Sequence, residues 1–471
     1  MNRGGPHTSS ECRALGRPWL ARLVTTAALV GTVALGQDPE RAAYRVVELD
    51  LPEDVLASAL AVDRDGTLYV GSAEGAILRV RRLESGGPAV EWSVFSRTFD
   101  HPCGLLAEDG WVTVTDKLGV TRMADLRGED GVADHFESLT TAWGLSELPH
   151  NWELGLVRDS HGNLYCGTDY PANTTGLLRG KAIRITPDGR TEQFAAGLRS
   201  PFGWALDEDD RLFCSDNQGD LRLTNEIFWV REGGYYGYAD YQDPTEQDRV
   251  ASPSAVQVPY SLGGSINGLT FVPRGTGFGP FGGQMLAASW QPGEVLRIEM
   301  EEVRGDLQGT VYRFLDGVRA PLSLTFTPLG ELYVGSMGFA SWEVPEERGA
   351  VYAVTFTGGP VFEILHTRIR AGGFELRFTE SVDPASFDPG KAVEVESFHY
   401  IYVGEYHAAV RDRTRLAVHA TRLSEDGLAL RFDATPLREG FIHAIHLKGL
   451  RSESGQALAH PDAWYTLNQL P

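Results

Sequence analysis

The sequence predicts an all-β protein, a six-bladed β-propeller followed by a small Ig-like β-sandwich. Three observations carry that expectation. One unit recurs six times: an apolar strand, an Asp/Gly turn, a strand of the form L-Y-V-G-S and a third strand. The small residues near the end of the second strand are Gly71, Thr115, Gly167, Ser215, Ala288 and Gly335. They recur about every 45–50 residues, the period of propeller blades, with one longer gap where GGYYGYADYQDP inserts a loop. After Gly358-Gly359-Pro360 the pattern changes to short strands separated by SEDG, REG and SESG turns, which reads as a sandwich.

The N-terminus reads differently from both. Arg13, Arg17 and Arg22 lead into an apolar run from Leu23 to Leu35, with Ala34 and Gly36 placed as small residues before Gln37. Residues 1–36 are therefore expected to be a cleavable secretory signal. The run falls short of the roughly 20 apolar residues that span a bilayer. The mature chain is expected to be exported, periplasmic or secreted, with no membrane span once the signal is removed.

Residues 37–358 form the expected propeller, with copies of the unit beginning at Leu56, Cys103, Glu153, Ser200, Ile266 and Leu322. Sheets with two apolar faces each need a neighbour on both sides, so six of them close into a ring. AVYAVTF at Ala350 is a third strand lacking a fourth, and AYRVVELDL at Ala43 is expected to supply it, which removes an exposed edge. Residues 359–471 form the expected sandwich, with seven of the twelve histidines. His443 and His446, three apart on a strand, face opposite sides and cannot share a metal.

Bulk composition excludes some functions. A net charge of −22, from 64 Asp+Glu against 42 Lys+Arg, repels phosphate backbones, so no nucleic-acid partner is expected. The only lysines are Lys117, Lys181, Lys391 and Lys448, which leaves little for lysine chemistry. Signal removal leaves Cys103, Cys166 and Cys214, enough for one bridge at most. Cys166 and Cys214 occupy the same place in LYC and LFC, so buried packing is their expected role. No C-x-x-C-H occurs, hence no covalent haem.

The candidate chemistry clusters between His150 and Tyr238. His150 lies in the turn before the first strand of the third blade, where an imidazole can act as a general base. Asp169 ends the next strand, and antiparallel pairing brings its carboxylate back to orient that base. Arg199 occupies the analogous loop of the fourth blade and suits a carboxylate-bearing ligand. Asp216, Gln218 and Gly219, with Glu226 beyond them, form an oxygen-rich turn suited to a hard cation such as Ca²⁺, although Asp, Asn and Gly also make ordinary turns. Tyr235, Tyr236, Tyr238 and Tyr241 either stack on a ligand or pack blade against blade. His161 sits at a strand-turn tip and is expected to face solvent.

HNWELGLVRDSHGNLYCGTD, GLRSPFGWALDEDDRLFCSDNQGD and NEIFWVREGGYYGY resemble segments of the glucose/sorbosone dehydrogenase family, soluble aldose dehydrogenases that are six-bladed propellers using pyrroloquinoline quinone (PQQ) and calcium. The tail, ending in YTLN, resembles a secreted bacterial subgroup of that superfamily. The resemblance implies His150 as catalytic base supported by Asp169, Arg199 and Arg319 on the quinone, and the Gln218-Gly219 backbone on the metal. It also implies a sugar or alcohol substrate and a separate electron acceptor such as a cytochrome. The sequence departs from the family where Ser200 follows the arginine, where Gln291 and Pro292 replace an expected lysine region, where Pro321 replaces a second arginine, and at His101-Pro102 in place of an early glutamine. Two further readings stand beside the dehydrogenase. One is a non-catalytic carbohydrate- or protein-binding propeller with a degenerate cofactor site. The other is a calcium-dependent hydrolase or lactonase.

Overall fold

The computed structural model describes residues 43–128, 130–144, 152–169, 178–218, 223–238, 249–338, 348–401 and 408–471. Six four-stranded antiparallel units follow one another along the chain. In each, alternating apolar side chains bury both faces of the second strand, as in Leu68–Ser72, Leu164–Thr168, Leu212–Asp216 and Leu332–Ser336. The first strand of every blade touches the first strand of the next, and the sixth returns to the first. That closes the ring. The expected clasp is present: Tyr44–Glu48 pairs antiparallel with Ala350–Phe356, Tyr44 opposite Phe356 and Glu48 opposite Tyr352.

The inner wall explains a repeat of small residues in the first strands. A Cβ on Gly104 would run into the carbonyl oxygen of Gly155, and one on Gly203 into that of Asn267. Inner strands approach too closely there for any side chain. Leu56, Ala73, Cys103, Trp152, Leu154, Phe202, Leu322 and Met337, drawn from five blades, meet in one apolar cluster, which residues of five blades can do only about the ring axis.

The tail is a sandwich with the strand order of Ig domains. One sheet runs Ile364–Arg370, Gly373–Phe378, Ala429–Thr435, Ala417–Leu423; the other runs Asp462–Leu467, Phe441–Leu447, Val393–Tyr400, Val410–Arg415. Phe374, Leu376, Leu430, Phe432, Ile445 and Tyr465 fill its core. His443 is buried and desolvation holds its imidazole down at about 4, while His446 is part-exposed and bonded to Asp462. The pair does face opposite ways.

The sandwich is not a separate bead. Asp462–Leu467 pairs with Asp306–Asp316, the outermost strand of blade five, with Thr310 opposite Tyr465, so blade and sandwich share one eight-stranded sheet. Arg297 seals the seam. Fully buried, it lies 4.2 Å from the ring centroids of both Phe281 and Tyr312 and donates to Gln284 Oε1 (2.7 Å) and Ile364 O (2.7 Å). The sandwich thus covers the open edge of blade five. Cys103, Cys166 and Cys214 are buried and form no disulfide with one another, as the packing role of Cys166 and Cys214 requires. Among the described residues no helix is long and apolar enough to cross a membrane.

Candidate functional site

Propeller topology decides which loops meet. The turn between first and second strands lies on one face of the ring, and both the loop before the first strand and the turn after the second lie on the other. Residues 100–103, Trp152, Arg199, Ser200, residues 216–218, residues 263–265 and Arg319 therefore all belong to one axial face. His150 and Gly219 lie outside the described residues.

Asp169 and Arg199 stand together on that face, in adjacent blades. Asp169 is buried, accepts the Trp152 amide at Oδ2 (3.1 Å), and its Oδ1 has no hydrogen-bond partner. Desolvation pushes its carboxyl up to about 7, against the pull of the Ser200 side chain, the Trp152 amide and Arg199. A buried carboxylate with an unspent oxygen and a proton affinity near neutrality is suited to orienting a base or exchanging a proton.

Arg199 is also buried. Its amide donates to Asp216 Oδ2 (2.9 Å) and its Nη1 to the Gln218 carbonyl (3.0 Å). Asp216 further accepts the Ser200 amide (2.6 Å). Gln218 accepts Arg199 at its carbonyl, donates its amide to Asn225 Oδ1 (3.0 Å), and leaves Oε1 unpartnered. Glu226 lies directly across the strand pair from Asp216 and is buried. The structure thus brings together Asp169, Arg199, Asp216 and Gln218. Arg319 stands apart from them: its Nε donates to Tyr352 Oη (3.0 Å) and its Nη2 lies 3.4 Å from Glu48, on the two outer strands of its own blade.

For an anionic quinone the residues fit. Arg199 is joined on this face by two of the chain's four lysines. Lys117 lies in the turn after the second strand of blade two, and the buried Lys181 opens the third strand of blade three. The unspent oxygens of Asp169 and Gln218 mark polar sites that a ligand can complete. The turn that would carry calcium runs on from Gly219 outside the described residues. The carboxylate of Asp216 is spent on backbone amides, and the described residues contain no group of three His, Cys, Asp or Glu able to hold a metal.

Several features had no warning in the sequence reading. Glu153 and Arg179 form a wholly buried ion pair at 2.5 Å, and Arg179 Nη2 also donates to Gly144 O (3.1 Å). Burial raises the Glu153 carboxyl and Arg179 pulls it back. His101 adopts a left-handed backbone (φ 53°), bonds Asp100 Oδ1 at 2.6 Å and stacks on Trp152, with ring centroids 6.4 Å apart. Trp152 is the equivalent residue of the next blade, three before the inner glycine, so this contact was available from blade alignment alone. Tyr235, Tyr236 and Tyr238 are buried and pack the blades, and Trp204 is buried too, donating to Pro201 O (2.7 Å). Tyr241 lies outside the described residues. His161 is exposed.

A cavity of about 670 Å³ lies elsewhere, among the turns of the opposite face between blades four and five and the first sandwich strand. Several of its charged residues are already paired, Glu299 with Arg368 and His366, and Glu301 with Tyr465. It is a domain seam rather than a reaction site.

A family model described as a domain of unknown function (DUF7133) matches residues 49–263. No curated protein matches the chain. Among solved structures, a candidate oxidoreductase (glucose dehydrogenase) of Thermus thermophilus aligns with a TM-score of 0.52 at 22% identity, covering 66% of this chain and all of that one. The soluble aldose sugar dehydrogenase of Escherichia coli, in its apo-form, aligns with a TM-score of 0.51 at 15% identity, covering 66% of this chain and 99% of that one. The chain has the propeller fold of the soluble sugar dehydrogenases.

Proposed function

We propose that the axial face is the active site of an exported dehydrogenase-like propeller that oxidises a hydroxyl of a sugar or alcohol. The observation that carries this reading is the buried, unspent oxygen of Asp169 beside Arg199, on the face where all six first strands begin. Such an oxygen is costly to bury without a purpose. PQQ is the cofactor the sequence resemblance implies, and Arg199, Lys117 and Lys181 are the residues that would hold its carboxylates. When bound it would supply a hydride acceptor. Calcium comes with the same resemblance, but the described residues give it no assigned role.

The chain's own contribution is positional and protonic. His150 is the base in this reading, and Asp169 holds its tautomer and stabilises its cationic form through the free Oδ1. Arg199 fixes an anionic group on the neighbouring blade while its amide locks the Asp216 corner. Export follows from the N-terminal pattern, and the electrons leave to a separate acceptor such as a cytochrome. Of the aromatics compatible with a non-catalytic binding propeller, Trp204, Tyr235 and Tyr236 are buried, while Trp229 is half-buried with Arg231 over its ring.

The decisive experiment titrates PQQ with calcium into the chain from Gln37 onward, followed by ultraviolet-visible absorption and aldose-dependent dye reduction. Quinone binding is expected, with dye reduction falling at least about 100-fold in His150→Ala and Asp169→Asn. Absence of both binding and dye reduction overturns the proposal. Glycan binding without turnover would assign the propeller to binding modules instead.

A further inference from the structure

We propose that the C-terminal sandwich is a positioning part of the axial site, acting through Tyr260 and Tyr400 on the corner that carries Gln218 and Arg199. This rests on the reading of that face as the active site and gives the appended domain a role in it.

Tyr260 lies in the loop between blades four and five, on the axial face, and three of its groups are bound. Its hydroxyl donates to Leu223 O (3.1 Å), at the far end of the turn that begins at Asp216. The same oxygen accepts the Ala408 amide of the sandwich (3.2 Å). Its own amide donates to Tyr400 Oη (3.3 Å), and the two rings meet edge to face at 5.1 Å. Phe398, Tyr400, Ala408 and Ile442 of the sandwich close around Leu223 and Tyr260 in one apolar cluster.

From Tyr260 the contacts continue inward. The loop that carries it bonds the Asp216 turn twice more, with Asn225 Nδ2 donating to Gly263 O (2.9 Å) and Gln218 Nε2 to Gly264 O. Gln218 then meets Arg199, and Arg199 meets Asp216. Hydrogen bonds, joined by the backbone between Tyr260 and Gly264, therefore run from the sandwich to the guanidinium that grips the ligand in the proposed function. Polar networks of this kind fix side chains more tightly than any single bond.

Interdomain packing alone does not require this arrangement. The strand pairing of Thr310 with Tyr465 and the Arg297 seam already join the domains at the outer edge of blade five. Neither touches the axial face. Thr466 and Asn468 at the end of the sandwich also bond the outer edge of blade four, at the Gln257 amide and Ser254 O. The Tyr260 joint is separate from all of these and is placed at the corner where the chemistry is assigned. An Ig-type domain that only capped the blade edges would need those attachments and not the Tyr260 joint.

Two conservative variants separate the roles. Tyr260→Phe removes the hydroxyl that ties Leu223 to Ala408. Tyr465→Phe removes a hydroxyl bonded to Glu301 (2.7 Å) and Gln308 (2.9 Å) in the outer seam. Hydrogen exchange of full-length protein is expected to rise about fivefold in peptides covering residues 212–218 for Tyr260→Phe, the equivalent of one lost hydrogen bond, and to stay unchanged there for Tyr465→Phe. In protein that binds PQQ, the dissociation constant should rise by a similar factor only in Tyr260→Phe, with Tm within a few degrees of wild type. Equal exchange in both variants, or no change in either, overturns the proposal. If wild type binds no PQQ, the dehydrogenase reading fails, and the exchange result still decides whether the sandwich positions this corner.

Discussion

Blades three and four carry nearly the same sequence at their axial corners, LYCGTD and LFCSDN, yet their aspartates do different work. Asp216 places its carboxylate on the amides of Arg199 and Ser200. Asp116 of blade two is similar, accepting Asp100, Leu118 and Gly119. Asp169 sits one residue further along its blade than these two, accepts a single amide and keeps Oδ1 unspent. The lesson is that a repeated acid is a fold device where its oxygens are spent on the backbone, and a candidate site where one is left over.

Removing the fold device should cost the most. Asp216→Ala strands two buried amides, and chemical denaturation should show a loss of about 2–4 kcal/mol at every pH near neutrality. A loss below about 1 kcal/mol would erase the distinction between the two corners.

Asp169→Asn should do the reverse. The folded carboxyl titrates near 7 against an ordinary value of 3.8, so the unfolded chain ionises first as pH rises. The stability this residue contributes is complete below about pH 4 and is lost as pH climbs through about 7. The variant should therefore match wild type at pH 4 and exceed it at pH 8, by up to about 4 kcal/mol. A constant difference across that range would contradict the burial argument.

Arg199→Lys is a finer probe. The backbone tie to Asp216 survives while the guanidinium contact to Gln218 O is lost, so Tm should move little and affinity for an anionic ligand should fall by about 1 kcal/mol. A large fall in Tm with unchanged affinity would make Arg199 a structural residue like Asp216.

The smallest effect is expected at the thiols. Burial raises Cys103 and Cys166 far above the ordinary thiol range, so a thiol reagent at pH 8 should label neither until the protein is unfolded. Rapid labelling of Cys103 in native protein would show that the axial cluster opens to solvent.

Much of this was legible before any coordinates. The period of small residues, the Asp/Gly turns and the unpaired AVYAVTF strand fix six blades and the N-terminal clasp, because alternating patterns can bury both faces only in a closed ring. That Asp169, Arg199, Asp216 and Gln218 share one face was also legible from position, since the loops before first strands and after second strands must lie together. Arg319 shares that face, yet it turns outward to Glu48 and Tyr352, a choice of rotamer and partner that position does not encode.

What only the tertiary structure decided is hydrogen-bond accounting and edge pairing. Whether an aspartate has a spare oxygen depends on which amides the folded loops present to it, and no sequence period records that. The joining of the sandwich to blade five runs through backbone groups at residues 309–311 and 464–466, which every residue type carries alike. Sequence selects the sheets because side chains bury in patterns. It leaves open which edge meets which, because the main chain that makes those contacts looks the same everywhere.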